Sequence, residues 1–572
     1  MTTKRMSAGQ AVVEALKEEQ VEFVFGLAGT HVLALYNALA DAPEIRHVVV
    51  KHESNAAFMA GMVGYLTGRP GVAMVTAGPG ATNSLSGVGQ AYAASLPMVH
   101  ISGDVPLNAG NEAYHGVDRR DFLHRMFRDI TKWSVRIERA EDIPAILSRA
   151  FALAASGRPG PVHVDIPWDI AGATDVEIAP YQRSQVEKQE PPGELVQQVY
   201  QGLLEAQRPV ICAGRGVLIH HAGEELLALA EAVSAPVIST NYGDGAMAHD
   251  HPLFVGTFSE WSGNPFVWEL LEESDFLLAV GLRSDTLMTA MLAEHAPEKA
   301  IVVALDEPHT LRPVPGLATV VPSDTKLFLS DLLAHADEQE QSWSKPSDPA
   351  TLRKIAQHWD AWEKGLAMHM AAYEKAKPLH FGQVAMELAQ ALDEDALLVG
   401  GVGNHTIWAR TMLPIRNRES FIEEASWGTM GGELPGGIAA KLLYPDRQVV
   451  VVTGDGSLLM AAPDFVTTVE AGANVLVVVL NDSRYGIINA IQQRQYQRSY
   501  GDEIGAINFA GFAESFGATG IRVESPEELP EAVARALALS AETPVVLDVV
   551  CDYRYRWPDR EAILASGGSD KE

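Results

Sequence analysis

The sequence contains two short apolar runs that each end in a cluster of glycine and acidic or amide residues. The run Gln448–Thr453 leads into Gly454–Ser457, and the run Val475–Leu480 leads into Asn481–Gly486. Short β-branched runs bounded by glycine are typical of buried strands in a parallel sheet. Both polar clusters should therefore lie at the carboxyl ends of neighbouring strands, which is the edge where open α/β sheets bind their ligands.

The chemistry of these clusters suits a metal ion that is shared with a diphosphate. Glycines allow the backbone to approach a phosphate closely, and the carboxylates of Asp455 and Asp482 are hard oxygen ligands of the kind that Mg²⁺ prefers. Gly-Asp-Gly by itself is common in turns, so the triplet alone does not identify a metal site. The second cluster at the same predicted edge favours the metal-diphosphate interpretation.

The alternation of strands and helices repeats along the chain and predicts an α/β fold of three doubly wound parallel-sheet domains. A helix with Ser7 as its N-cap opens the first region. The predicted limits are residues 1–180 for the first domain, 194–335 for the central domain, 375–550 for the third domain and 551–572 for a C-terminal tail. The tail carries aromatic residues that favour a cap over another part of the protein, namely Tyr553, Tyr555 and Trp557.

Charge and cysteine content exclude several classes of function. The 572 residues include 43 lysines and arginines against 74 aspartates and glutamates, for a net charge of −31. Such a surface repels nucleic acids and anionic membranes, so we expect neither as a partner. Cys212 and Cys551 are the only cysteines, too few for a disulfide framework or a thiolate zinc site. No secretory core and no run near the ~18 apolar residues of a membrane span are present, which predicts a cytoplasmic protein.

Gly454-Asp455-Gly456, followed after 24 residues by Asn481-Asp482, resembles the signature of thiamine-diphosphate-dependent enzymes. The resemblance implies thiamine diphosphate and Mg²⁺ as cofactors, with the metal held by Asp455, Asp482 and the main-chain carbonyl of Arg484. It also implies cofactor contacts from the residues of both clusters, which are Gly454, Asp455, Gly456, Ser457, Asp482, Tyr485, Gly486 and Ile487.

Lys51-His52-Glu53 and the segment Gly71–Asn83 resemble the pyrimidine-binding domain of the acetolactate synthase, benzaldehyde lyase and pyruvate oxidase group. The resemblance implies that Glu53 protonates the aminopyrimidine ring, which then removes the proton from the thiazolium carbon. A desolvated carboxyl group with a raised pKa suits this task. By itself, Glu53 could equally be a solvated acid in the first turn of a helix. The glycine-rich loop Gly78–Asn83 could cradle a phosphate or permit tight packing.

In the third domain, Trp427–Gly431 resembles the family segment whose backbone carbonyl, here that of Gly428, accepts a hydrogen bond from the pyrimidine amine. Met430 matches the bulky apolar residue that props the cofactor in a bent form, and Asn404 and His405 match positions near the diphosphate. The three regions would then be the pyrimidine-binding, central and diphosphate-binding domains. Because the family places the glutamate and the metal motif across a subunit interface, the resemblance implies a homodimer or homotetramer with interfacial sites.

Several residues depart from the acetolactate synthase pattern and bear on the substrate. His31 stands where two glycines are usual, and a histidine there resembles benzaldehyde lyase; it could relay protons to a substrate alkoxide or be a packed loop residue. Tyr114 or His115 occupies the place of a site glutamine. Gly432-Glu433 and Gly436-Gly437 replace Tyr-Gly and Ala-Ala, which predicts a more open pocket with an added carboxylate.

The central region gives little support for a second cofactor. Gly214-Arg215-Gly216 is half of a dinucleotide fingerprint without its third glycine, which favours a tight strand-to-helix turn. The segment Gly256–Trp261 departs from the glycine-rich segment of flavin-containing acetolactate synthases, so bound FAD is doubtful.

The residues and the resemblance together predict a thiamine-diphosphate- and Mg²⁺-dependent 2-oxo acid decarboxylase and carboligase of acetolactate synthase type. The alternative is a lyase or carboligase that acts on 2-hydroxy ketones or 2-hydroxyacyl thioesters, which His31 favours. Glu53 and the two metal positions argue against a catalytically idle homologue that only binds diphosphate. The incomplete fingerprint argues against a nicotinamide-dependent oxidoreductase.

Overall fold

The computed structural model describes residues 3–108, 114–259, 266–283, 291–292, 294–305, 319–339, 349–423, 426–554 and 560–567. Within these ranges, three six-stranded parallel sheets follow one another along the chain, and helices flank each sheet. The predicted α/β fold of three parallel-sheet domains is confirmed. In the same part of the chain, no helix has the length and apolar character needed to cross a membrane.

The first sheet has the strand order β3-β2-β4-β5-β7-β6, and β1 pairs antiparallel with β8 beside it. The strands are β1 Lys4–Met6, β2 Phe23–Leu27, β3 Arg46–Val49, β4 Gly71–Val75, β5 Met98–Asp104, β6 Trp133–Arg136, β7 Pro161–Pro167 and β8 Val176–Ile178. The helices are Ala8–Glu18, Leu33–Leu39, Glu53–Thr67, Pro79–Asn83, Leu85–Ala94, Phe122–Arg128, Ile143–Ala155 and Trp168–Ala171. Ser7 caps the first helix as predicted, because its hydroxyl accepts from Gln10 N at 3.2 Å.

The second sheet has the order β11-β10-β9-β12-β13-β14. Its strands are β9 Pro209–Ala213, β10 Val237–Thr240, β11 Phe254–Phe258, β12 Phe276–Val280, β13 Ala300–Ala304 and β14 Thr319–Pro322. The helices around it are Gly193–Glu205, Arg215–Ile219, Gly223–Val233, Phe266–Glu273 and Thr325–Glu338. A long surface helix, Pro349–Ala371, then leads to the third domain and packs against the C-terminal helix Arg560–Gly567.

The third sheet has the order β16-β15-β17-β18-β20-β19. Its strands are β15 Leu397–Gly400, β16 Ile422–Glu423, β17 Val449–Gly454, β18 Leu476–Asn481, β19 Thr519–Val523 and β20 Val545–Val550. Its helices are Phe381–Ala391, Asn404–Met412, Glu433–Leu443, Asp455–Ala461, Phe465–Glu470, Gly486–Tyr496, Phe509–Glu514 and Leu529–Ser540. The valines of β17 and β18 are buried, as expected for central strands covered by helices on both faces.

Buried polar contacts hold the first and third domains together. The buried carboxylate of Asp464 accepts hydrogen bonds from the Asn55 amide, from the main-chain N–H of Lys51 at 3.0 Å and from the Thr467 hydroxyl at 2.7 Å. The helix Glu53–Thr67 also packs against the helix Glu433–Leu443 of the third domain. The helix that begins at Glu53 is thereby fixed relative to the third sheet.

Candidate functional site

The polar clusters predicted at two strand ends lie on one edge of the third sheet. β17 ends at Gly454 and the helix Asp455–Ala461 follows at once, while β18 ends at Asn481 and is followed by Asp482. Because β17 and β18 are paired neighbours, both acids reach the same part of this edge. Both side chains are buried.

The two carboxyl groups affect each other's protonation. Burial raises the pKa of Asp455, and burial together with the charge of Asp455 raises the pKa of Asp482 to about 8. Asp455 Oδ1 accepts a hydrogen bond from Gly456 N at 2.7 Å, but Oδ2 has no hydrogen-bond partner among the described residues. Asp482 Oδ1 accepts from Arg484 N at 3.1 Å. A buried pair of acids with an open oxygen is suited to a cation, which would offset their repulsion.

Asn404 and His405 begin a helix beside these acids. In the part of the chain that the structure describes, neither amide atom of the buried Asn404 side chain has a hydrogen-bond partner, and neither does His405 Nε2. A Cβ atom at Gly486 would lie 2.6 Å from Asp482 Oδ2 and 2.8 Å from Asn404 Nδ2, so only glycine fits between them. We call the group Asn404, His405, Asp455, Ser457 and Asp482 the cradle.

The open polar atoms of the cradle fit Mg²⁺ bound together with a diphosphate. Across the described ranges, no three His, Cys, Asp or Glu side chains cluster in a way that could hold a metal, so a cation here would need a ligand besides the two acids. The Arg484 carbonyl is the ligand that the resemblance adds. Its guanidinium is engaged elsewhere, with Asp502 and Glu503 at 2.9 Å each and 4.5 Å above the Tyr553 ring. Tyr555 and Trp557, the other predicted cap residues, lie outside the described residues.

The remaining predicted cofactor residues surround the cradle. Tyr485 packs on the start of the helix Asp455–Ala461, since a Cβ atom at Gly456 would lie 2.7 Å from its ring. Ile487 is half-buried in the first turn of the helix Gly486–Tyr496. Gly428 has a φ of +70° with open space around it, and Met430 is half-buried two residues later. These positions are compatible with the roles that the resemblance implies.

At Gly432-Glu433, where the sequence predicts a more open pocket, the added carboxylate packs against Gly401 and Ser457. Glu433 is buried, and its Oε1 is so close to Gly401 that a Cβ atom there would lie 2.1 Å away. Its carboxylate accepts from the Ser457 hydroxyl at 2.6 Å and from Gly431 N at 3.1 Å. The sequence marked Glu433 only as a departure from the family pattern; its contacts depend on the packing of distant segments.

Glu53 is not the solvated helix acid of the simpler interpretation. It begins the helix Glu53–Thr67 but is only 7% exposed, and its Oε2 accepts from Asn83 Nδ2 at 2.9 Å. A Cβ atom at Gly80 would lie 3.3 Å from Glu53 Oε1 and 2.7 Å from Thr76, so the glycine-rich loop permits close packing around the acid. Asn83 lies at the end of the predicted glycine-rich loop, but its contact with this carboxyl group was not predicted.

His31 lies in a cluster of rings at the carboxyl edge of the first sheet. Its ring centroid is 4.9 Å from His115, 6.2 Å from Tyr114 and 5.7 Å from Trp168. His31 is buried, and this burial is the main cause that lowers its pKa. The nearby His115 lowers the pKa further. Both predicted candidates, Tyr114 and His115, therefore lie next to His31. Trp168 was missed, although it directly follows strand β7 and so had the strand-end position of the other site residues.

Within one chain, the two halves of the predicted site are not joined directly. Among the described residues, no hydrogen bond or ion pair connects Glu53 or His31 with Asp455 or Asp482. The contact between the helices Glu53–Thr67 and Glu433–Leu443 joins the two domains instead.

The glycines of the central domain make a tight turn. A Cβ atom at Gly214 would lie 2.5 Å from Gly281 O, and one at Gly216 would lie 2.6 Å from Gly281 Cα. This close approach supports the turn interpretation over a dinucleotide fingerprint. Of the segment used to judge flavin, Gly256–Phe258 belongs to β11, whereas Glu260 and Trp261 lie outside the described residues.

The raised pKa of Asp482 predicts how the metal-free protein responds to pH. The pKa of an aspartate in an unfolded chain is about 4. Between about pH 4 and 8, Asp482 is therefore protonated in the folded state and ionised in the unfolded state, so the free energy of unfolding falls as pH rises. Asp482→Asn should remove this trend and increase the free energy of unfolding at pH 8, by up to about 1 kcal/mol per pH unit of the window. Denaturant unfolding of chelator-treated protein from pH 5 to 8.5 measures it. The exposed Asp446→Asn is the matched control; equal slopes in both variants would contradict the assignment.

Three family comparisons cover most of the chain. Residues 6–129 match the thiamine pyrophosphate enzyme N-terminal TPP binding domain, residues 196–332 match the central domain, and residues 401–549 match the C-terminal TPP binding domain. These matches agree with the placement of the three sheets.

The chain is also similar along almost its whole length to curated proteins. It is 32% identical to the probable acetolactate synthase large subunit of Methanocaldococcus jannaschii, over 96% of this chain and 92% of that protein. It is 30% identical to the acetolactate synthase large subunit of Haemophilus influenzae, over 96% of this chain and 95% of that protein. The chain therefore belongs to the thiamine pyrophosphate enzyme family, as an acetolactate synthase-like enzyme that depends on thiamine diphosphate and forms carbon–carbon bonds.

Proposed function

We propose that this chain is a Mg²⁺-dependent 2-oxo acid decarboxylase and carboligase of acetolactate synthase type. The observation that carries the proposal is the cradle, where Asp455, Asn404 and His405 present buried polar atoms that have no partner among the described residues, next to the buried Asp482 at the ligand-binding edge of the sheet. The names of the relatives, which are acetolactate synthase large subunits, support the choice of reaction.

Thiamine diphosphate, when bound, supplies an acidic carbon and an electron sink for making or breaking a bond next to a carbonyl. Asp455, Asp482 and the Arg484 carbonyl would hold Mg²⁺, and Asn404 and His405 would bind the diphosphate. Glu53 would hold a proton at the pyrimidine ring, with Asn83 keeping its carboxyl group in one orientation. Burial of Glu53 keeps its carboxyl group away from bulk water.

We also propose that the protein works as a homodimer or homotetramer. Large apolar side chains are exposed in a single chain near both halves of the site: Tyr114 is 73% and Tyr500 is 88% exposed. Further exposed side chains of this kind are Leu33, Trp168, Ile488 and Tyr496. Exposed apolar side chains near a site can form an interaction surface, and a second copy could bring the Glu53 half against the cradle half.

A panel of substrates tests the proposed reaction. Protein loaded with thiamine diphosphate and Mg²⁺ should release CO₂ from at least one 2-oxo acid and join the remainder to a second carbonyl compound, with products identified by mass spectrometry. Chelator treatment followed by dialysis should abolish turnover, and Mg²⁺ should restore it, because the two acids repel a diphosphate unless a cation lies between them. Full turnover after exhaustive chelation would contradict the metal assignment, and inertness toward every 2-oxo acid would contradict the donor class.

The ring cluster around His31 favours a second candidate reaction, the cleavage or ligation of 2-hydroxy ketones or 2-hydroxyacyl thioesters. The lowered pKa of His31 keeps its imidazole neutral near pH 7, so it could accept the hydroxyl proton of such a substrate. His31 Nδ1 has no hydrogen-bond partner in the described structure, which leaves that nitrogen available.

His31→Ala should slow cleavage or ligation of a 2-hydroxy ketone by about 10²–10⁴-fold, because loss of a general base typically costs this much. Decarboxylation of a 2-oxo acid should suffer less, since no hydroxyl proton is removed in that step. Rates of both half-reactions, measured with binding of thiamine diphosphate, separate the two effects. His47→Ala, at a half-buried histidine of the same sheet, is the control. Unchanged rates on all substrates would mean that His31 only packs against its neighbours and takes no part in proton transfer.

A further inference from the structure

Glu433 is a buried acid with no lysine or arginine partner among the described residues. It is 1% exposed and stands at the first position of the helix Glu433–Leu443, where the helix dipole favours a negative charge. The nearest group that could carry a positive charge is His405, whose Nε2 lies 3.5 Å from Glu433 Oε1. A buried, unpaired carboxylate beside a site for an anionic diphosphate is costly, so its contacts should explain its presence.

The two carboxylate oxygens of Glu433 contact different segments. Oε1 accepts from the Ser457 hydroxyl at 2.6 Å, and Oε2 accepts from Gly431 N at 3.1 Å. Gly431 N also donates to Ser457 Oγ at 2.9 Å, which closes a three-membered set of hydrogen bonds. Gly431 has a φ of +90°, and a Cβ atom there would lie 2.7 Å from Met460 Cβ, so this turn is held closely against the helix Asp455–Ala461.

These segments belong to opposite ends of the proposed cofactor site. Gly431 closes the turn that carries Gly428 and Met430, the residues expected at the pyrimidine end. Ser457 and His405 belong to the cradle at the diphosphate end. The Glu433 side chain and the hydrogen bond from Gly431 N to Ser457 Oγ therefore hold the two segments together.

The same contacts redefine the part played by Ser457. A hydroxyl group has one proton to donate, and Ser457 donates it to Glu433. Its oxygen already accepts from Gly431 N. While these bonds persist, the Ser457 hydroxyl has no proton to offer to a diphosphate oxygen.

We propose that Glu433 is a positioning residue that fixes the spacing between the pyrimidine and diphosphate ends of the site, and that the Ser457 hydroxyl acts through Glu433. The inference rests on the proposed binding of thiamine diphosphate. It predicts that Glu433 matters for a ligand that occupies both ends of the site and not for one that occupies the diphosphate end alone.

Calorimetric binding of two ligands, each with Mg²⁺, tests this prediction. Inorganic pyrophosphate reaches only the diphosphate end, whereas thiamine diphosphate spans both. For Glu433→Ala, the Kd for pyrophosphate should stay the same or fall, because a negative charge near the anion has been removed. The Kd for thiamine diphosphate should rise relative to that for pyrophosphate by about tenfold or more, because two hydrogen bonds to a charged group are lost. Glu433→Gln keeps the size and one acceptor and should give a smaller change in the ratio.

Two further variants make the outcome decisive. Ser457→Ala should raise the ratio of the two Kd values as Glu433→Ala does; an equal loss for both ligands would mean that Ser457 binds the diphosphate directly and would overturn the inference. Glu514→Ala, which removes an exposed acid of the same domain, should change neither Kd. Retained pyrophosphate binding shows that each variant is folded. Equal changes in Kd for both ligands in Glu433→Ala and Glu433→Gln would overturn the proposed role of Glu433 but not the proposed function. Wild-type protein that binds pyrophosphate but not thiamine diphosphate would overturn the proposed function itself.

Discussion

The repulsion between two buried carboxyl groups, those of Asp455 and Asp482, is the constraint on which the site depends. Neither forms an ion pair with a lysine or arginine among the described residues, and burial raises the pKa of both. The strands of this sheet are apolar on both faces, because helices cover both faces. The two acids therefore lie at the ends of the neighbouring strands β17 and β18. The proposed divalent cation would offset this repulsion, because both carboxylates would become its ligands.

Glu53, a buried acid of the first domain, has a neutral partner instead of a second acid beside it. Glu53 is buried with a neutral amide, Asn83, as its partner, and Gly80 of the neighbouring loop lies close to its other carboxyl oxygen. The helix that it begins is also the one that Asp464 ties to the third domain through Asn55. The position of Glu53 is therefore coupled to the domain interface, and Glu433, at the start of the helix packed against it, belongs to the same contact.

Much of this organisation follows from local sequence patterns. Valine-rich runs that end in glycine and acid predict both the strands and the edge where Asp455 and Asp482 meet, because strand ends in a parallel sheet share one edge. The burial of Glu53 could not be predicted in this way, since it depends on Asn83, thirty residues along the chain. The same holds for the contact between Trp168 and His31, because Trp168 follows strand β7 and His31 follows strand β2. The contacts of Glu433 could not be predicted either, because the local sequence does not reveal that Gly401 and Ser457 lie against its carboxylate.

We propose that Glu53 of one chain acts with the Asp455 cradle of another. Mixing Glu53→Gln protein with Asp455→Asn protein under conditions of subunit exchange tests it directly, with hybrids verified by native mass spectrometry. Each variant alone should be inactive in carboligation. A random mixture should recover about a quarter of wild-type activity, because half of the dimers are hybrids and each hybrid contains one site with both residues intact. Hybrids that form but remain inactive would contradict a site shared between chains.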